Sequence, residues 1–141
     1  MTASTSRFGL ALLLIACAVQ FSGYAVAQDP KIGESEYLQH CAACHGLSGL
    51  GDGPIGQFLK TPAPNLAMIS ERNGGVFPIQ KIYSIIDGSN VVAAHGTRDM
   101  PLWGDRYRTE TKPKTPDQVA VAQDQAQLRI LSLVYYLGTM Q

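Results

Sequence analysis
Cys41-Ala42-Ala43-Cys44-His45 brings two of the chain's three cysteines and a histidine into five consecutive positions. Thiols and imidazoles are metal ligands and redox groups, so this pentapeptide carries chemistry of its own. Three readings compete: a thiol–disulfide pair, half of a zinc site, and a covalent haem attachment point. The neighbouring sequence decides among them.

A structural zinc takes four ligands, usually through a second C-x-x-C or a pair of histidines. No cysteine follows Cys44, and His40 and His95 stand apart. A redox pair is expected at a helix start inside a βαβ pattern. This pair falls late in a predicted helix, in a chain with no convincing strand pair. C-x-x-C-H is the attachment signature of c-type haem. Two cysteines with two residues between them lie about one helical turn apart. Each can therefore form a thioether bond with one of the vinyl groups on a porphyrin edge. His45 follows beneath the ring, its imidazole aimed at the iron. The expectation is one covalent haem c, attached through Cys41 and Cys44, with His45 as a metal ligand.

Residues 1–27 read as a segment outside the fold. Arg7 is the only charge before Asp29, an apolar run extends from Phe8 to Val19, and Ala25-Val26-Ala27 supplies an A-x-A cleavage site. That is the layout of a secretory signal peptide. The apolar run is short for a membrane span, and Gln20 interrupts it. Leu14-Ile15-Ala16-Cys17 also resembles a lipoprotein box, so lipid anchoring through Cys17 is the alternative to cleavage after Ala27. The expected location is the periplasm, outside the cytoplasm where haem attachment is carried out, and the expected mature domain is 28–141.

Composition agrees with one soluble domain. Of 141 residues, 45% are hydrophobic and 16% charged, which is ordinary for a globular protein. The 11 basic residues balance the 11 acidic ones, and loss of Arg7 with the leader leaves one acid in excess. No strong net charge points to nucleic acid or an anionic membrane surface, and no stable membrane insertion is expected.

Downstream of the leader the pattern is helical. Asp29-Pro30 offers a cap and a first-turn proline, starting a helix that carries Ile32, Tyr37 and Leu38 towards Cys44. Gly33 inside it costs about 1 kcal/mol relative to alanine, which makes sense if another helix crosses there; the alternative is a helix that begins only after Gly33. Residues 46–65 hold five glycines and three prolines and read as loop. A short helix is expected over 66–71. A clearer one spans 78–87, with Ile79, Ile82, Tyr83 and Ile86 on one stripe and Gly88 as its stop. Residues 88–114 read as loop. Thr115-Pro116-Asp117-Gln118 matches a capping box, opening a helix to Leu137 with Ile130, Leu133, Val134 and Leu137 on one face. The domain is thus all-α, with three to five helices. About 45 residues of loop in two segments call for something large and apolar to fill the middle.

At this point the chain resembles the monohaem class I c-type cytochromes over nearly the whole of 28–141. "HCAACHG" stands near the mature N-terminus, as it does in that class. Tyr37 lies where the family has an aromatic that packs on the last helix, and Gly33 where it has its helix-crossing glycine. Leu133-Val134-Tyr135-Tyr136-Leu137 is similar to the partner segment. Met100-Pro101 looks like the family's distal Met-Pro pair, in a loop far from His45 and flanked by breakers.

The resemblance implies His45 and Met100 as the two axial ligands, with His95 as rival to Met100. His40 is expected on the surface, Met68 in packing and Met140 at a frayed terminus. Pro64-Asn65-Leu66 resembles the family's Pro-x-Leu segment. There the proline carbonyl accepts a bond from the ligand histidine and the leucine packs on the haem. Trp103 and Arg98 flank Met100, and either has a donor for a haem propionate; core and solvent are their other roles.

The loop from His45 to Pro64 is longer than in the mitochondrial type, and no ring of lysines is evident. The implied function is single-electron transfer between redox proteins, for example from a periplasmic dehydrogenase to a terminal oxidase. The implied protein is not an enzyme, and it is monomeric or only transiently complexed. The alternatives are a dedicated haem subunit of such a complex, or a small-ligand-binding or peroxidase-like haem protein if Met100 is not a ligand.

Overall fold
The computed structural model describes residues 30–89 and 100–141. The expected leader, Cys17, His95 and Arg98 lie outside the described residues. Among the described residues the elements are α1 (Pro30–His40), α2 (Ala42–His45), a 3-10 turn (Gly56–Phe58), α3 (Ile69–Arg72), α4 (Ile79–Asp87), α5 (Trp103–Glu110) and α6 (Pro116–Thr139). There is no strand among the described residues.

The long helix α6 is the backbone of the fold, packing against α1, α5 and α4. It begins where the capping box places it. Thr115 Oγ1 accepts from the Gln118 N–H at 3.3 Å, while Gln118 Oε1 accepts from the Lys114 N–H at 2.8 Å, one residue before the cap. Its inner face is one stripe: Ala122, Ala126, Ile130, Leu133, Val134 and Leu137 are all buried. Small residues come first and large ones last, and the large ones, from Ile130 on, fill the core.

The crossing with α1 is set by Gly33. A Cβ at that position would lie 2.0 Å from the Ser132 carbonyl oxygen and 2.7 Å from the Tyr136 Cβ. No side chain fits there, so the two backbones are in contact. Four residues on, Tyr37 is fully buried, and its ring lies 5.5 Å from that of Tyr136. Gly33 and Tyr37 are the buried residues of α1, whereas Ile32 and Leu38, the other large apolar residues of the helix, are 39% and 48% exposed. The buried stripe thus follows the four-residue spacing of Gly33, Tyr37 and Cys41.

The structure contains one helix that the sequence pattern did not suggest. Residues 103–110 form α5 within the stretch expected as loop. Trp103 and Tyr107, one turn apart, are its anchors, 5% and 4% exposed. With α5, and with α2 set off by a break at Cys41, there are six helices among the described residues rather than three to five. On α4, Ile86 is buried but Ile79 is 44% exposed. Its inner face is carried by Ile82, Ile85 and Ile86.

Candidate functional site
Cys41 interrupts the first helix. Its backbone (φ −117°, ψ −38°) ends α1, and α2 starts at the next residue. A helix of four residues has little stability of its own, because its carbonyls have no following turn to bond. Here the glycine-rich loop supplies the donors. The carbonyls of Ala42, Ala43, Cys44 and His45 accept from the N–H groups of Gly46, Ile55, Gly53 and Gly51, at 2.9, 2.9, 3.2 and 2.8 Å. Gly53 makes this possible: a Cβ there would sit 2.5 Å from the Ala43 carbonyl oxygen. The buried Tyr37 hydroxyl donates to the Gly46 carbonyl at 2.6 Å, tying α1 to the same loop.

The loop then returns to the histidine. His45 Nδ1 lies 3.1 Å from the Pro64 carbonyl oxygen. A carbonyl can only accept, so Nδ1 carries the proton and Nε2 is left with a free lone pair. The ring is 8% exposed. Burial lowers the His45 pKa, and the bond to Pro64 opposes that in part. The neutral, ligand-competent imidazole is therefore favoured.

His45 faces an apolar cavity of about 230 Å³ that is also lined by Cys41, Pro64, Leu66 and Met100. Its apolar walls are Tyr37, Ile69, Ile82, Ile85, Ile86, Leu133 and Leu137, and Arg72, Asn73 and Lys81 complete the lining. One water needs about 10–15 Å³ and two to four polar partners. A chamber this size with these walls suits a flat apolar group. Five of the residues singled out in the sequence thus meet in one place, drawn from α1–α2, the 46–68 loop and the segment before α5. Leu66 and Met100 are both partly buried against the core.

Two of the singled-out residues stand elsewhere. Cys44 is half-buried and outside the cavity lining. Trp103 is buried under α5, its ring 4.9 Å from that of His40 and 5.5 Å from that of Tyr107, with the Arg106 guanidinium 5.0 Å above it. It does not line the cavity.

Three side chains differ from expectation. His40 is not a surface residue: its side chain is 21% exposed, between Trp103, Tyr107 and Glu36. Met68 is 39% exposed rather than packed. Met140 is packed on the core rather than frayed, its methyl close to Gly49. Among the described methionines only Met100 lines the cavity.

Sequence reading also missed the charged cluster behind Cys41. Glu36, with its side chain 12% exposed, accepts from Arg129 Nε at 2.7 Å, from Arg129 Nη2 at 3.0 Å and from the Tyr107 hydroxyl at 2.9 Å. Arg129 lies 3.8 Å over the Tyr107 ring and pairs also with Glu110. The i, i+4 spacing of Glu36 and His40 was the only signal in the sequence. The partners come from α5 and α6, some 70 to 90 positions away.

This geometry disfavours the other two chemistries of the pentapeptide. Burial, and then the nearby Glu36 charge, push the Cys41 thiol up to about 12. A working redox pair needs a depressed thiol pKa. Among the described residues, no three His, Cys, Asp or Glu side chains are grouped to hold a metal ion.

The model of the cytochrome c family matches residues 31–139. The chain belongs to that family, and its helical structure is the all-α cytochrome c fold. Searches of curated proteins and of solved structures gave no match. As a member, the protein binds one haem c covalently, through Cys41 and Cys44, and serves haem-based electron transfer. The residues present fit that group: a largely apolar cavity, a buried cysteine on its wall, and an imidazole oriented by a carbonyl.

Proposed function
We propose that the protein is a periplasmic carrier of single electrons, with His45 and Met100 as the two axial ligands. When bound, the haem supplies a one-electron Fe(III)/Fe(II) couple. The chain's residues do the rest. Pro64 holds the His45 ring in one tautomer, which fixes where Nε2 points. The Met100 thioether is a soft neutral donor that favours Fe(II) and raises the potential. Isoleucine and leucine walls exclude water. With His45 and Met100 both given to the haem iron, the chain would leave no open position for a substrate, the arrangement of a carrier rather than an enzyme. The leader expected over 1–27 supports export. Among the described residues, no helix is long and apolar enough to cross a membrane. The donor is expected to be a dehydrogenase and the acceptor a terminal oxidase, each docking transiently.

One observation carries this reading: His45 and Met100, 55 positions apart in sequence, line the same cavity. It is tested on protein exported with haem maturation. The oxidised form should show the weak far-red band of methionine sulfur on ferric haem. Met100→Ala should keep the covalent haem, lose that band and bind carbon monoxide readily when reduced. A band that survives the substitution removes Met100 from the iron.

A second reading has an observation of its own. Leu38, Leu47, Leu50, Ile55 and Phe58 are 48%, 73%, 52%, 47% and 76% exposed around the haem-binding turn. A stable complex in which this chain is the haem subunit would cover such side chains. Co-purification of a tagged chain with a stoichiometric partner separates this from a free carrier.

A further inference from the structure
The cavity is apolar except at His45 and at one other place. Arg72, Asn73 and Lys81 belong to its lining, from the end of α3, the turn after it and the first turn of α4. Arg72 and Lys81 line the cavity and are at the same time exposed, which puts them at its mouth. Lys81 Nζ donates to Asn73 Oδ1 at 3.4 Å, and the Arg72 guanidinium donates to the Asn65 carbonyl. Among the described residues neither cation is paired with a carboxylate, whereas Arg108 and Arg129 each hold two.

An apolar chamber with two cations at its lip suits a flat apolar ligand that ends in anions. Haem has that form, with two carboxylates on one edge of the ring. We infer that Arg72 and Lys81 form the carboxylate subsite of the haem cavity, with Asn73 holding the lysine in place. The inference rests on this cavity being the haem site. It moves the subsite away from Trp103, which does not line the cavity, and from Arg98, which lies outside the described residues.

The assignment has an electrostatic consequence. Neighbouring cations keep carboxylates ionised at neutral pH and offset their field at the iron. Without one cation, the carboxylate charge favours Fe(III) more strongly and the reduction potential falls. The carboxylate pKa also rises towards neutrality. The potential then declines as pH increases through that range, because each proton lost adds a negative charge beside the iron.

The test uses holoprotein of Arg72→Gln, Lys81→Gln and the double variant. Covalent haem is checked by mass and the far-red band by absorption. The midpoint potential is then measured from about pH 5 to about pH 8. Each single variant should shift the Fe(III)/Fe(II) equilibrium roughly three- to tenfold towards Fe(III), tenfold being 59 mV for one electron. Each should also gain a pH dependence absent from the parent, and Arg72→Lys or Lys81→Arg should restore both. Variants that keep haem and band, yet match the parent in potential and pH profile, overturn the subsite. Parent protein lacking covalent haem or the far-red band overturns the reading beneath it instead.

Discussion

Gly33 shows how one missing side chain sets the distance between two helices. Alanine there gains about 1 kcal/mol of helix propensity, but its Cβ collides with the Ser132 carbonyl, a backbone atom that cannot rotate away. Forcing the backbones apart costs about 1–3 kcal/mol or more. We expect Gly33→Ala to lower holoprotein stability by about 2 kcal/mol in denaturant titration; an unchanged midpoint would mean that α1 can slide. Gly33 was half legible: glycine inside a helix is costly and asks for a reason, but a helix starting after it would have removed the cost, and the family resemblance tipped the reading. His40 was not. Nothing near it in sequence announces that Trp103 and Tyr107 will lie against its ring, so a polar residue beside the motif read as surface. The same holds for Arg72 and Lys81, which become a pair only when α3 and α4 meet at the cavity.

At the scale of elements, legibility followed how much of the stability is local. Helix α6 has a cap, a proline at its first turn and a long apolar stripe, and it was read almost to its end. Helix α5 has two buried aromatics in eight residues, between Met100-Pro101 and Lys112-Pro113-Lys114, and turn signals outweighed them. Its stability is tertiary. Trp103 and Tyr107 sit in the core, Arg108 pairs with Asp87 at 3.2 Å, and Glu36 anchors Tyr107 and Arg129. Glu36→Gln keeps the shape and removes the charge. The side chains are 12% and 28% exposed, so the cost falls below that of a fully buried pair, at about 2 kcal/mol. Amide exchange in α5 should accelerate more than in α1, since α5 has fewer other contacts to hold it. Uniform acceleration across both helices would show that the cluster stabilises the whole domain rather than α5.

At the scale of the molecule, the pattern of short helices and long loops already implied a core filled by a cofactor, and the cavity is lined by Pro64 and Leu66 from the first loop and by Met100 from the second. Its walls were only partly legible. Ile85 falls outside the stripe read from α4, and Ile69 belongs to a helix of one turn. The buried phenols make the whole domain sensitive to alkali. Burial pushes Tyr37 from 10.0 to about 12, and burial together with the Glu36 bond raises Tyr107 as well. The native state keeps these protons after the unfolded chain has lost them. Stability is therefore full below about pH 10 and falls between about 10 and 12, by at most about 1.4 kcal/mol per unit for each group. Tyr37→Phe should lose about 1 kcal/mol at neutral pH with its bond to Gly46, and decline less steeply in alkali. Unfolding titrations at neutral pH and at pH ~11 check both; a variant whose alkaline loss equals that of the parent rules Tyr37 out as a source.

The clamp of loop amides over Ala42 to His45 also dictates a chronology. Once those bonds form, Cys41 is 9% exposed, and burial keeps reagents from its thiol. Thioether formation is therefore expected first, on a chain whose pentapeptide is still open, with closure of the loop afterwards sealing the product. A sequence change that hastened folding of the bare polypeptide would work against its own maturation, giving a well-folded protein that had missed its moment to acquire colour.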